Sequence, residues 1–557
     1  MDEIGNEVGR VLGTEDSTPL TYWFALSPGA SVQLDDVVVT DRRLPSGQSV
    51  SVSGVVTQVR ARHEGARFDS DVFLINDGVL PAEVVEAAEV MTTRVEPEVF
   101  VPPLPGSEVR RAADKERDEA LYFDQMEHRL PIGLGRDGAP LFANLEFLDG
   151  TRGAHVNISG ISGVATKTTY ATFLLYSLFN SGALGGEAHN TKALIFNVKG
   201  EDLLFLDSAN SRLPQRDSDR YDRLGLPAAP FSSVAVYAPP RRSDPNGGPD
   251  VATRTTGVDT YYWTLAEFCS EELLPFVFAE PEDERHQYTM LIHHVAAILS
   301  REGRPHGDDG AWEIGGEVVR TYHELVTLIV DRLEDDSWTP KSTSMGTVNA
   351  FIRRLLSSQR AVAHLIRADF KLRPNHQVRD SQAQVTVVDL HNLHDRAKRF
   401  VVGVTVKRAF EAKEAAGVPR PLLFLVLDEL NKYAPREGHS PIKEILLDVA
   451  ERGRSLGVIL VGAQQTASEV ERRVISNSAI RVVGRLDSAE AGRPEYGFLP
   501  SIHRDRATIA KPGTMFVSQP EIPVPLVVEF PFPAWATRPS ERSPSPEAPA
   551  DPFEGLT

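Results

Sequence analysis

The chain has a single cysteine, Cys269, in 557 residues. It can neither pair within the chain nor build a thiolate metal site. That excludes disulfide-stapled scaffolds and zinc fingers and points to a reducing compartment. Long apolar runs are also missing. Even compact ones such as Leu422 to Leu427 fall far short of the roughly 20 residues that a bilayer-crossing helix needs, so no transmembrane helix is expected. The opening MDEIGNEVGR is acidic and has neither the basic nor the apolar stretch of a secretory signal. A cytoplasmic protein with no membrane partner is the expectation. Positive charge is in deficit, with 59 Lys plus Arg against 78 Asp plus Glu, net −19. That is the wrong overall sign for a protein that coats nucleic acid, although a basic pore or groove can coexist with an acidic exterior. No repeat of fixed period is found.

What is present is ordinary globular composition: 41% apolar and 25% charged residues, which exclude wholesale disorder and fibrous repeats. The length suggests three or four structural units. Residues 1 to about 105 alternate β-rich runs with turns, as in SVQLDDVVVT, PSGQ and SVSVSGVVTQVRAR, and predict a small antiparallel barrel or sandwich. Pro102 to Pro105 breaks the pattern, and the charged SEVRRAADKERDEALYFDQM predicts a connecting helix across 106–130. Strands and helices then alternate across 131–256, the rhythm of a doubly wound parallel sheet. Between 257 and 375 the periodicity turns helical, in TYHELVTLIVDRL and GTVNAFIRRLLSSQRAVAHLIRA, and predicts a helical insertion. Compact apolar runs return in 376–537 at QVTVVDL, LLFLVLDEL, GVILVGAQQ and AIRVVGRL, so the α/β core is split in two. The loop 241–250 and the Pro/Ser-rich tail 538–557 are expected to be disordered.

The segment HVNISGISGVATKTTYATFLLYSLF sets an apolar strand, a Gly-containing loop, a Lys-Thr pair and an apolar helix in succession. That is the order of a phosphate loop: backbone N–H groups and a helix amino terminus cradle phosphate oxygens, Lys167 reaches the β and γ phosphates, and Thr168 holds Mg²⁺. The strict GxxxxGK[ST] pattern is broken, with Ile161 at the first glycine and Thr166 at the second. Gly160 and Gly163 remain for close backbone approach. Read alone, the segment also fits a Gly-Ser turn ahead of an amphipathic helix.

LLFLVLDELNKYAP is a buried strand ending in Asp428 and Glu429, at the edge where open α/β sheets bind ligands. Asp428 suits a magnesium ion and Glu429 an attacking water, while Asp428 as a helix N-cap is the plain structural alternative. Asp389 ends a similar strand without an adjacent acid and ranks below the pair. GVILVGAQQTASEV ends in Gln464 and Gln465, of which Gln465 is the candidate to sense a γ phosphate or position water. Arg452, Arg454 and Arg152 are candidate guanidinium donors. His391 and His394, three apart after a strand, lack a further ligand cluster and suit a solvent-facing or capping role better than a metal. Tyr261, Tyr262 and Trp263 suit packing better than base stacking.

Taken together, LPIGL, GTRGAHVNISGISGVATKTTY, DELNKYAP, RGRSLGVILVGAQQTASEV and RVVGRL resemble the HerA family of hexameric ATPases, relatives of FtsK-type DNA translocases. The resemblance spans most of the chain. It implies an α/β fold: a RecA-like P-loop NTPase core with an N-terminal small β-barrel of the HAS type and a helical insertion. It implies ATP and Mg²⁺ between subunits of a homo-hexamer, with Gly160, Gly163, Val164, Ala165, Thr166, Lys167 and Thr168 at the nucleotide. By motif position Arg454 resembles the arginine acting in the same subunit and Arg152 the one offered to a neighbour. It implies double-stranded DNA in a basic pore and a separately encoded nuclease or other effector on the barrel face, serving end processing or anti-phage defence. A nucleotide-gated scaffold without translocation, and a motor for another polymer, stay open as alternatives.

Overall fold

The computed structural model describes residues 7–161, 167–242, 244, 246–278, 286–335, 337–341, 343–369 and 376–542. The chain divides into two compact units, Met1–Leu145 with Ile480–Phe530, and Glu146–Ala479 with Pro531–Thr557.

The strands in chain order begin with six that close a barrel: β1 (Glu7–Val11), β2 (Thr21–Leu26), β3 (Val37–Arg43), β4 (Ser49–Glu64), β5 (Glu83–Glu96) and β6 (Glu108–Arg111). Their order around the barrel is β1-β2-β5-β4-β3-β6. Period-2 alternation produces it: Val50, Val52 and Val56 of β4 turn inward with Tyr22, Phe24, Val38, Val90 and Val109 to make one apolar core. Gly54 is required by close approach, since a Cβ there would lie 2.5 Å from the Met91 carbonyl oxygen. The barrel runs past the expected limit at 105. Within the stretch read as a connecting helix, Val109 is buried and closes the barrel, while Arg110 reaches Asp41 and Glu116 and Arg111 reaches Asp36. The helix begins only at Asp114 and ends at Ala120.

The same unit holds β7 (Arg129–Leu134) and β8 (Pro140–Asn144). The second unit then contributes β9 (Val156–Ser159), β10 (Lys192–Asn197), β11 (Val234–Ala238), β12 (Val258–Thr260), β13 (Arg304–His306), β14 (Ala311–Ile314), β15 (Glu317–Val319), β16 (Val385–Asp389), β17 (Leu423–Asp428) and β18 (Val458–Gln464). The last three, β19 (Ile480–Val483), β20 (Thr514–Ser518) and β21 (Leu526–Glu529), return to the first unit, where the antiparallel order is β19-β20-β21-β7-β8.

The second unit is built on seven strands in the order β12-β11-β16-β10-β17-β18-β9, every pairing parallel. The helices Lys167–Asn180, Asp395–Ala416 and Pro441–Leu456 connect or flank these strands, and β17 and β18 are buried almost throughout. The last helix shows why the chain turns where it does. Ser440 caps its amino end by accepting from the Lys443 N–H at 3.3 Å, Pro441 is its first residue, and Gly457 ends it in the left-handed region at φ 69°.

Between β12 and β16 the described elements include the helices Leu265–Ser270, His286–Glu302, Tyr322–Glu334 and Met345–Val362, together with the three-stranded sheet β13-β14-β15. That small sheet lies within the expected helical insertion. Gly-rich turns fold it, and Trp312 on β14 is buried with its ring N–H donated to the Leu299 carbonyl at 3.1 Å. Tyr261, Tyr262 and Trp263 are buried, Trp263 edge-on to Phe400 at 5.0 Å.

The described residues of the two stretches expected to be disordered make hydrogen bonds. In 241–250 the Asp244 carboxylate accepts from the Gly248 N–H at 2.8 Å. At the tail, Glu541 is buried and accepts from both the backbone N–H and the hydroxyl of Thr537 at 2.9 Å. Residues 543–557 lie outside the described residues.

Candidate functional site

Because the seven strands run the same way, their carboxyl ends share one edge. Asp428 pairs in register with Ala463, Gln464 with Ser159, and Leu427 with Phe196. β9, β10, β17 and β18 end there in the polar side chains of Ser159, Asn197, Asp428 and Gln464, the place at which open α/β sheets take ligands.

Lys167 is the first residue of the helix that follows β9. Its side chain is 4% exposed, and its Nζ donates to the Gly160 carbonyl at 2.6 Å. Burial pushes its pKa down to about 8 and Lys199 adds to that, while Asp428 and Glu429 pull the other way. Thr168 donates its hydroxyl to Asp428 Oδ2 at 2.9 Å. The other Asp428 oxygen accepts from the Glu429 N–H at 2.8 Å, so Asp428 serves its own chain turn and does not cap the helical turn Leu430–Lys432.

Glu429 stands in the left-handed region at φ 57°, a conformation that non-glycine residues adopt at a cost of about 1 kcal/mol. The turn sends its carboxylate back over the strand end. There Lys432 lies 2.7 Å from one oxygen and Lys199 3.5 Å from the other. Lys199 also donates to Asp428 Oδ2 at 3.1 Å. Two carboxylates and three lysines thus meet at one strand edge.

Lys199 and Lys432 are the residues that sequence reasoning missed. The available signals were a lysine two positions beyond the buried run KALIFN and another three residues after Glu429, where helical geometry turns it back.

Gln464 is fully buried, its amide donating to Asn157 Oδ1 at 2.9 Å and to the Ser159 hydroxyl at 2.8 Å, which ties β18 to β9 at this edge. Gln465, the sequence candidate, is exposed just beyond the strand end. Gly160 is buried and donates to the Gln464 carbonyl at 3.2 Å. Gly163, Val164, Ala165 and Thr166, expected at the nucleotide, lie outside the described residues.

The arginines are elsewhere. Arg454 is in the last turn of the helix that leads into β18, so it sits at the amino end of that strand. Its guanidinium donates to the carbonyls of Gly150 at 3.1 Å and Thr151 at 2.7 Å. β18 has seven residues, which at about 3.3 Å each puts roughly 20 Å between that edge and Gln464. Arg454, expected to act on the nucleotide of its own subunit, is therefore not brought to Lys167 and Asp428. Arg152 lies in the loop before β9 on the same far edge, 49% exposed, over the Phe147 ring at 4.9 Å and 3.4 Å from Glu146. Arg452 pairs with Glu414.

Asp389 ends β16 fully buried, accepting from Asn197 at 2.8 Å and paired with His391 at 2.8 Å. Burial raises the Asp389 pKa, and the contact with Asp389 raises that of His391. His394 accepts from the Arg396 N–H at 3.2 Å and caps the helix Asp395–Ala416.

Among solved structures the chain is similar to the plasmid coupling protein TrwB in complex with a non-hydrolysable GTP analogue. The TM-score is 0.46 at 13% identity, over 75% of this chain and 93% of that one. It is also similar to VirB4 of Thermoanaerobacter pseudethanolicus, with TM-score 0.44 at 15% identity over 73% and 97%. A third likeness, to the genome packaging NTPase B204 of Sulfolobus turreted icosahedral virus 2 in complex with ATP-gammaS, has TM-score 0.21 at 12% identity over 27% and 69%. No protein-family model matches, and no curated protein matches. At such scores these likenesses assign neither activity nor partner.

Proposed function

We propose that this protein is an ATP-dependent ring motor of the HerA and FtsK kind. In this reading it is a cytoplasmic homo-hexamer that hydrolyses ATP to move double-stranded DNA and works with a separately encoded nuclease or other effector in DNA end processing or anti-phage defence. The observation that carries this reading is the convergence of the Lys167–Thr168 pair with Asp428 and Glu429 on one strand edge, through the Thr168 to Asp428 hydrogen bond of 2.9 Å.

The donors fit the ligands. A hydroxyl and a carboxylate within hydrogen-bond reach are hard oxygen donors of the kind magnesium takes from protein in phosphate sites. A buried lysine whose Nζ donates to the Gly160 carbonyl suits a triphosphate better than it suits that neutral acceptor. Magnesium bound with the triphosphate would supply neutralisation of charge on the transferring group. Lys167 would leave the Gly160 carbonyl for phosphate oxygens, Thr168 and Asp428 would hold the metal, and Glu429 would orient the attacking water. Gln465 is exposed beside this edge and would follow the γ phosphate. Arg152 would act on the nucleotide of an adjacent copy, which is the reason for a ring. The apolar tip between β4 and β5, with Phe68 and Phe73 each 72% exposed, supports effector docking on the barrel.

A steady-state ATPase assay with and without duplex DNA tests the reading. The expected result is DNA-stimulated turnover, abolished by Lys167→Ala and by Glu429→Gln. ATP binding without turnover would mark a nucleotide-gated scaffold, and a monomer persisting with ATP and Mg²⁺ would remove the role of Arg152.

A further inference from the structure

A cavity of about 350 Å³ opens in the second unit, and neither Lys167, Thr168, Lys199, Asp428 nor Glu429 lines it. Three segments wall it: Arg242 from the loop after β11, Thr321 to His323 at the start of the helix Tyr322–Glu334, and Gln359 to Asp369 around and beyond the end of the helix Met345–Val362. The bridges Thr321 to Arg367 and Trp263 to Ile366 hold the second and third segments in place.

Its charge is unlike that of the chain as a whole. Arg242, Arg360 and Arg367 face a single carboxylate, Asp369, in a protein of net charge −19. Arg367 is already matched to that carboxylate, Nε to Oδ1 at 2.6 Å. Arg242 and Arg360 make no hydrogen bond or ion pair among the described residues. His364 on the cavity wall reports the resulting field. Burial first, then the Arg242 and Arg367 guanidiniums, press its pKa down to about 4, so at neutral pH it is an uncharged imidazole. The helix Tyr322–Glu334 adds the positive end of its backbone dipole from the same wall.

Two exposed guanidiniums in one concave wall, with no protein partner among the described residues, concentrate positive potential there and leave their donors open to an anion. Arginine forks match the oxygen pairs of a phosphate, and the neutral imidazole of His364 can hydrogen-bond another oxygen.

We infer that this cavity binds a phosphate group, held by Arg242 and Arg360 and oriented by His364. The phosphate is either the terminal group of a small phosphorylated ligand or one phosphodiester of a nucleic acid. The site is separate from Lys167 and does not depend on nucleotide hydrolysis there.

Equilibrium dialysis of the full chain against ³²P-labelled inorganic phosphate tests it, with Lys167→Ala to remove retention at the strand edge. The expected result is a component that survives Lys167→Ala and weakens about tenfold or more in the double variant R242A/R360A, with partial recovery in R242K/R360K. Both arginines are exposed, so an unchanged thermal midpoint is expected and serves as the folding control. A labelled duplex titrated over a range of salt distinguishes the sources. If R242A/R360A also lowers the salt dependence of duplex binding by about one to two units, the phosphate is a backbone one, whereas unchanged duplex binding assigns a small ligand. Phosphate retention that is absent after Lys167→Ala, or identical in the double variant, overturns the inference.

Discussion

Thr168 and Asp428 are 260 positions apart in the chain, yet the hydroxyl of one donates to the carboxylate of the other at 2.9 Å. The contact exists because β9 and β17 both flank β18 in parallel, which puts the start of the helix after β9 beside the end of β17. Replacing Asp428 with Asn removes the charge that Lys167 and Lys199 share. ATP affinity in the presence of magnesium is expected to fall by about tenfold or more, on the scale of one lost charge-assisted contact. Calorimetric titration of the variant with ATP and Mg²⁺ reads this directly, and unaltered affinity would remove Asp428 from the site.

Glu429→Gln keeps size and hydrogen bonding but not the base. Turnover should drop by about a hundredfold or more while ATP binding is retained, the pattern of a group that acts on the attacking water. An equal loss in binding and turnover would instead give Glu429 a purely structural role.

Lys199 bonds Asp428 and lies near Glu429, so it partly cancels their charge before any ligand arrives. Lys199→Met should tighten the binding of magnesium alone and weaken that of ATP. Both effects follow from a more negative strand edge. Titrating Mg²⁺ against the nucleotide-free variant is the check, and a change in ATP affinity without any change for the metal would contradict it.

Gly457 ends its helix at φ 69°, and a Cβ there would lie 1.7 Å from the Pro419 carbonyl oxygen. Ala has to move backbone to fit. Gly457→Ala is expected to destabilise by about 2 kcal/mol or more, beyond the usual cost of left-handed alanine. A urea midpoint within error of the parent would show that the loop at Pro419 yields freely.

His155 is buried in the left-handed region at φ 67° and accepts the Leu460 N–H on Nδ1 at 2.9 Å. Burial lowers its pKa from 6.5 to about 4. Between those values the unfolded chain holds the extra proton and the folded chain does not. Stability is therefore fully present above about 6.5 and is lost as pH falls toward 4, by up to about 1.4 kcal/mol per pH unit. His155→Asn keeps an acceptor and tolerates the backbone angle, so it should flatten this acid dependence. Denaturation midpoints at pH 7 and pH 5 measure it.

The end of β17 at Asp428 was legible because a buried apolar run that stops at a polar pair marks both the strand and its edge, and Lys167 because an apolar strand, a glycine-containing loop and a Lys-Thr pair stand in succession. Which edge an arginine occupies was not legible. Arg454 follows Asp428 closely in sequence, but a 16-residue helix carries the chain back across the sheet and leaves it at the opposite end. Lys199 gave no distinctive signal, since a lysine shortly after a strand is ordinary surface chemistry. β6 was hidden for a related reason. Its charges at 108, 110 and 111 read as an exposed helix, and only the burial of Val109 between them shows a barrel strand.

Arg454 fastens the end of its helix to the Gly150–Thr151 turn, next to Arg152, and Gly457 passes the chain directly into β18. β18 is therefore a strut with a guanidinium anchor at its foot and Gln464 at its head, close-packed along its whole length. Any load that a neighbouring copy placed on the Arg152 loop would meet almost no slack before reaching the residues around Lys167, so contact between copies and grip on a bound anion would be two ends of one stiff member.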